Sequence, residues 1–139
     1  MNSEIALAVL ERDNGWLLQL RDDFESVLYP GHWGLFGGHI NPGEKPSQAI
    51  HRELIEEINW SPTAPLEYWF SNSSGQSVVH VFRGPLTVPV QRLKLLEGQD
   101  LKLTSLNELH KGKIWSETLA QARPIAPGLN IVISRLLNN

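Results

Sequence analysis

Four charged residues crowd one short stretch of the chain: Arg52, Glu53, Glu56 and Glu57, in "HRELIEEIN". On a helix advancing about 100° per residue, Glu56 lies near about 300° and Glu57 near about 40° from Glu53, so the three carboxylates share a face about 100° wide. Such crowding is locally unfavourable. Glu53 and Glu57 repel at i, i+4 by about 0.2–0.5 kcal/mol, and acids near a helix C-terminus oppose its dipole by about 0.3–1 kcal/mol each. A hard divalent cation reverses the sign of both effects. Oxygen ligands in a chain without cysteine point to Mg²⁺ or Mn²⁺ rather than zinc, and Mg²⁺ is commonly completed by substrate phosphate oxygens. The plainer alternative is a solvated helix face, since glutamate is a good helix former. What favours a site is the turn just upstream, where Gly37 and Gly38 let backbone approach a ligand or metal closely and Asn41-Pro42-Gly43 folds the loop back over the helix.

Positioning these groups requires a helix on a scaffold. Ile50, Leu54 and Ile58 form an apolar stripe beside the acids, as for a helix laid on a sheet. Pro46 suits the first helical position, Lys45 is a poor N-cap that Ser47 would have to supplement, and Asn59 suits the left-handed residue that closes a helix at Ile58. Upstream, two apolar runs flank Asp13-Asn14-Gly15 and predict a hairpin; a short strand follows from Trp33 to Phe36. Downstream, "PLEYWFSNS" and "QSVVHVFRG" predict a second hairpin about Ser-Ser-Gly. The tail from Pro127 carries Leu129, Val132, Ile133, Leu136 and Leu137 at helical spacing. The fold class is α/β (α+β), a mixed β-sheet with helices packed on it.

Bulk composition narrows the function. With 139 residues, 41% of them apolar, the chain suits one domain, residues 1–139, around a single core. A formal charge of −3 gives no field to attract a nucleic-acid polymer. The absence of cysteine excludes disulfides and thiolate chemistry. The apolar run from Ile5 to Leu10 is too short for a signal peptide and no run is long enough to span a bilayer, so the expected location is cytoplasmic, with no membrane partner.

The segment from Gly38 to Trp60 resembles the Nudix box, the signature of Nudix hydrolases: G, five residues, E, seven residues, R-E-U-x-E-E-x-G-U, with U aliphatic. Gly38, Glu44, Arg52, Glu53, Leu54, Glu56 and Glu57 match in register, while Asn59 replaces the late glycine and Trp60 the final aliphatic residue. Asn tolerates the left-handed conformation. Phe36 in "LFGG" stands where many relatives have proline. The box covers about a sixth of the chain, yet the order of elements resembles the family's α/β/α sandwich throughout.

The resemblance implies hydrolysis of a nucleoside diphosphate linked to another group X, a small-molecule nucleotide. It implies divalent metal on Glu53, Glu56 and Glu57 with a carbonyl ligand from Gly38 or its neighbour, and acids oriented by Arg52 and Glu44. The base is Glu53 or a carboxylate on a later loop, for which Glu97 in "LLEGQDLKL" is the candidate and Asp100 the reserve. A nucleoside triphosphate, ordinary or oxidised, is the favoured substrate; sugar nucleotides, ADP-ribose, dinucleoside polyphosphates and a catalytically silent sensor are the alternatives, and a homodimer is compatible with the family. Among the aromatics Trp16, Tyr29, Trp33, Trp69 and Phe82, Trp33 and Tyr29 on the approach to Gly37 are the candidates for stacking on a base. His32, His39 and His80 are candidates for phosphate contact or acid–base work, with His39 in a variable, peripheral position of the box and His80 in an apolar strand where packing is the plainer reading.

Overall fold

The computed structural model describes residues 3–138. Its centre is a seven-stranded mixed sheet. Strand β1 (Ser3–Arg12) runs parallel to β6 (Ser77–Pro85) along its full length, from Ser3 opposite Ser77 to Glu11 opposite Pro85. The other side of β1 is shared: β4 (Phe36–His39) pairs with Ile5 to Ala8, and β2 (Gly15–Leu20) with Glu11 and Arg12. Outer positions are filled by β3 (Trp33–Gly34) and β7 (Asp100–Thr104) against β2, and by β5 (Glu67–Ser74) against β6. A separate hairpin joins β8 (Lys113–Ser116) to β9 (Gln121–Pro124).

Alternation along β1 divides the apolar residues into two clusters, one on each face, where composition alone suggests one core. Ala6, Ala8 and Leu10 pack with Leu17, Phe36 and Phe82 against Ala49, Ile50, Leu54 and Ile58 of α1 (Pro46–Ile58). Val9, Leu18, Leu20 and Val81 face the opposite layer, made of Leu109 from α2 (Leu106–Lys111), Ile114 from β8, and Leu129, Val132 and Ile133 from α3 (Leu129–Leu137). This is the α/β/α layering the resemblance implies. Removing a fully buried side chain such as Leu54 to alanine costs about 2–5 kcal/mol.

Local details refine the sequence reading. The first turn is Asp13-Asn14, both at positive φ (51° and 60°), and Gly15 already belongs to β2. The short strand at Trp33–Phe36 is two pieces broken at Leu35: β3 pairs with β2, and β4 leaves to pair with β1. Helix α1 begins at Pro46 and ends at Asn59 (φ 54°), whose N–H donates to the Ile55 carbonyl at 3.0 Å. Ser47 lies inside the helix, and Gln48 supplies the cap by accepting from the Lys45 N–H at 2.9 Å. Among the described residues no helix is long and apolar enough to cross a membrane.

Candidate active site

Gly37 joins the sheet to the acidic helix. At φ 140° it adopts a conformation L residues avoid, and a Cβ there would strike the Ala6 backbone. Its N–H donates to Glu57 Oε2 at 2.9 Å. A Cβ on Gly38 would lie 2.7 Å from Glu53 Oε1, so Gly38 admits a carboxylate to the backbone of β4 while Gly37 admits the backbone of β1.

Arg52 is the hub of the helix face. Its Nε and Nη2 donate to the two oxygens of Glu44 at 2.8 and 3.0 Å, and Nη1 donates to Glu53 Oε1 at 3.0 Å and Glu56 Oε2 at 3.2 Å. Nη2 also reaches the His39 carbonyl at 3.0 Å. The fork on Glu44 is bidentate and charge-assisted. Arg52 hydrogen bonds hold the Glu44 carboxyl below the usual range, helped by the Asn41 N–H, and Glu44 holds Arg52 charged. Glu44 therefore braces the arginine, and the arginine spreads Glu53 and Glu56 in fixed positions.

Glu57 differs from its neighbours. It is only 4% exposed, and burial pushes its carboxyl up to about 8, with Glu53 and Glu97 adding to the rise against the Gly37 N–H and Arg21. Glu97 arrives from a distant segment. After a 3₁₀ turn at Val90–Arg92, the chain docks on the end of α1: the Lys94 and Leu96 N–H groups donate to the carbonyls of Ile58 and Glu57 at 3.2 and 2.8 Å. Those are C-terminal carbonyls the helix itself leaves unpaired. Gln19 Nε2 then holds the Glu97 carbonyl at 3.0 Å, Asp22 accepts the Gly98 N–H at 3.3 Å, and Gln99 pairs with the backbone of Leu20 and Arg21. Partial burial, then Glu53, Glu56 and Asp22, raise the Glu97 carboxyl.

Glu53, Glu56, Glu57 and Glu97 thus line one cavity of about 360 Å³ beside Gly37 and Gly38. Across the wall formed by Arg21 and Gly37–His39 lies a second cavity of about 260 Å³, largely apolar, with Ile5, Leu7, Leu28, Leu35, Val79 and Leu129 around it.

The placement of the remaining candidates is mixed. Tyr29 borders the apolar cavity, half exposed and at φ 52°. Trp33, expected to stack on a base, is instead fully buried in the second cluster, its Nε1 donating to the Ile114 carbonyl at 3.0 Å; packing on every side leaves no ring face for a ligand. Asp100, the reserve base, is taken by the Ser116 hydroxyl at 2.7 Å and the Leu101 N–H. His80 bridges Tyr68 and Glu4, Phe82 is core, and His39 borders both cavities. Sequence reasoning missed Gln19, Arg21 and Asp22, which line the acidic cavity. A glutamine inside the apolar run of β2, followed by Arg-Asp at its end, is the signal that was available.

The donor set suits a hard cation. Among the described residues, Glu53 Oε2, Glu56 Oε1 and Glu57 Oε1 are free of protein hydrogen bonds, while each partner oxygen is held. Among the described residues no three His, Cys, Asp or Glu side chains surround a common point closely enough to hold an ion. Oxygen ligands of this kind fit Mg²⁺ or Mn²⁺.

Over 54 residues, 39% of this chain and 38% of the relative, the sequence is 37% identical to nucleoside triphosphatase NudI of Escherichia coli O1:K1. The match spans under two-fifths of the length of such curated relatives. The fold is similar to a MutT protein from Methanosarcina mazei Go1, with TM-score 0.74 and 20% identity over 99% of this chain and 94% of that one. It is also similar to the NUDIX domain of Shewanella oneidensis NrtR complexed with ADP ribose, with TM-score 0.72 and 21% identity over 99% and 88%. The family model described as NUDIX domain matches residues 1–123, and the chain belongs to the Nudix family.

Proposed function

We propose that this protein is a metal-dependent pyrophosphohydrolase that cleaves a nucleoside diphosphate linked to a group X, with a nucleoside triphosphate, ordinary or oxidised, as substrate and the monophosphate as product. One observation carries the reading: a cavity walled by five carboxylates opens beside an apolar cavity across the short wall Gly37–His39. A polar phosphate chain and a flat, weakly polar base need two such compartments side by side. The 54-residue similarity to a nucleoside triphosphatase supports the choice of X.

Members of the family use divalent cations, and here Glu53, Glu56 and Glu57 with the Gly38 carbonyl would hold Mg²⁺ or Mn²⁺. The ion supplies neutralisation of the pyrophosphate charge and a more acidic water. The rest falls to the chain. Glu97, whose carboxylate makes no protein hydrogen bond among the described residues, accepts the proton of the attacking water; its raised affinity for protons, from partial burial and neighbouring acids, suits a base. Arg52 holds Glu53 and Glu56 side by side against their mutual repulsion, and Glu44 holds Arg52. Gly37 fixes one oxygen of Glu57 and leaves the other turned to the cavity.

The test is a panel of nucleoside triphosphates, oxidised nucleotides, sugar nucleotides, ADP-ribose and dinucleoside polyphosphates, incubated with Mg²⁺, Mn²⁺ or EDTA and resolved by chromatography. Cation-dependent cleavage of triphosphates, lost in Glu57→Gln, is the expected result. The fold's likeness to a domain complexed with ADP ribose favours ADP-ribose as the second ligand to examine. Tight binding of ADP-ribose without turnover of any compound would replace the hydrolase with a sensor.

A further inference from the structure

Along β2 the apolar residues alternate, Leu17 joining the cluster under α1 and Leu18 and Leu20 the other. Gln19 therefore shares the face of Leu17. At 4% exposed it buries an amide where an apolar side chain would serve, which is unfavourable unless the amide is hydrogen-bonded. Its Nε2 donates to the Glu97 carbonyl at 3.0 Å. Among the described residues this is the one hydrogen bond that Glu97 makes, by backbone or side chain. The next residue rests on the same glutamine: Gly98 is at φ 96°, and a Cβ there would stand 2.9 Å from Gln19 Cγ and from the Leu20 carbonyl oxygen. Gln99 then closes the loop on the strand, its N–H donating to the Leu20 carbonyl at 2.8 Å. Gln19 and Glu97 both line the acidic cavity.

We propose that Gln19 is a positioning residue that holds Glu97 facing the acids of α1, acting through the Glu97 carbonyl. The inference rests on the reading of Glu97 as the base and deepens it by naming what places that base. A hydrogen bond to the carbonyl fixes the peptide plane after Glu97, and with it the direction in which the side chain leaves the loop. The neighbouring ties lie on either side, from Leu96 to the Glu57 carbonyl and from Gln99 to Leu20. Without the amide, the Glu97 backbone can rotate between them. The negative charges of Glu53, Glu56 and Asp22 act on Glu97, and a carboxylate so placed turns outward once its tether is cut. A base has to lie about 2.6–3.2 Å from the atom whose proton it takes. A displacement of about 1 Å therefore lowers the rate steeply, while the ligand binds as before.

A double-mutant cycle tests this with Mg²⁺ and the compound cleaved fastest in the panel. Gln19→Met keeps the length of the side chain and removes the donor. It is expected to lower kcat about tenfold or more with KM within about twofold. In a Glu97→Gln background the same substitution should lower kcat by less than about twofold. An equal loss in both backgrounds overturns the proposal, because the strand is then disturbed for some other reason; so does an unchanged kcat, or a rise in KM alone. A second readout needs no turnover. Substoichiometric Mn²⁺ broadens the amide NMR signals of residues close to the ion, and in the wild type it should broaden both Gly38 and Gly98. Gln19→Met should spare Gly98 and leave Gly38 broadened. Equal broadening of Gly98 in the two proteins, or none in the wild type, overturns the proposal. Should the Met variant fail to fold, Gln19→Leu, which continues the apolar run of β2, is read in the same two ways. If Glu97→Gln leaves kcat unchanged, or no compound is cleaved, the reading of the base or of the reaction falls, and the Gly98 signal still decides whether Gln19 holds the loop.

Discussion

The two cavities that meet at Gly37–His39 are assembled in opposite ways. The acidic one draws three of its four glutamates from a single helix, two of them fixed by one arginine that also reaches back to Glu44 and the third by the Gly37 N–H. The apolar one takes its walls from β1, the 28–29 loop, the segment 34–35, β6 and the start of α3, short pieces from across the chain. Local assembly allows like charges to be spaced in advance and held. Distributed assembly gives a surface of adjustable shape and little charge. The first arrangement should govern the rate of reaction and the second the affinity for the ligand, and each substitution below strains that division.

The largest effect is expected at Glu57. Glutamine is isosteric with the protonated acid, and the carboxyl, pushed up to about 8, carries its proton at neutral pH in the metal-free protein. Glu57→Gln should therefore keep its melting temperature in EDTA while kcat with Mg²⁺ falls about 10³-fold or more. Loss of the fold instead would mean that the carboxylate is part of the structure. Glu97→Gln comes next, with kcat lowered about 10²-fold and cation affinity unchanged. A small effect there would return the role of base to Glu53.

The contrast also accounts for what could be read from the sequence. The spacing of Arg52, Glu53, Glu56 and Glu57 is a one-turn regularity, so the acidic face, the caps at Pro46 and Asn59, and the stripe of Ile50, Leu54 and Ile58 were legible. The α/β/α layering was legible through the resemblance, borne out by the matching family model and fold. Distributed features were not. Trp33 adjoins the cavity-lining Gly34 and Leu35 and shares the second cluster with Leu35, but its ring is packed inside that cluster with Nε1 on the Ile114 carbonyl. Arg21, Gln19 and Asp22 meet Glu97 only because β7 lies antiparallel to β2, bringing the 97–99 loop back across its end. Helix α2 had a signal in Ser105-x-x-Glu108 and Gly112, realised as a capping box and a left-handed stop. It is too short for periodicity to reveal.

Titration should separate the two regions further. Glu57 has a folded value of about 8 against 4.5 for the free group, so between these the folded state binds more protons than the unfolded one. Stability in EDTA is full below about pH 4.5 and falls as pH rises through about 8, by on the order of a few kcal/mol; the raised Glu97 acts in the same sense. Chemical denaturation across this range, in wild type and Glu57→Gln, measures it. The slope should be largely removed by the substitution, and a wild-type stability independent of pH would contradict the burial of this carboxyl.

Trp33→Phe examines the layer behind the apolar cavity. It leaves the buried Ile114 carbonyl without its 3.0 Å donor, at a cost of about 1–3 kcal/mol. KM should not move, because the ring touches no cavity. A raised KM with unchanged stability would restore the tryptophan to the binding surface.

The smallest effect, and the sharpest for the proposed division, belongs to Leu28. It borders the apolar cavity yet is 67% exposed, so Leu28→Ala should change stability by no more than about 0.5 kcal/mol. Its contact with a bound base removes apolar surface from water equally in the ground state and the transition state. Truncation should then raise KM about two- to fivefold and leave kcat alone. A fall in kcat at constant KM would mean that the loop carrying Leu28 and Tyr29 tightens only as the phosphates react. The apolar cavity would then belong to the catalytic machinery, and local and distributed assembly would no longer map onto rate and affinity.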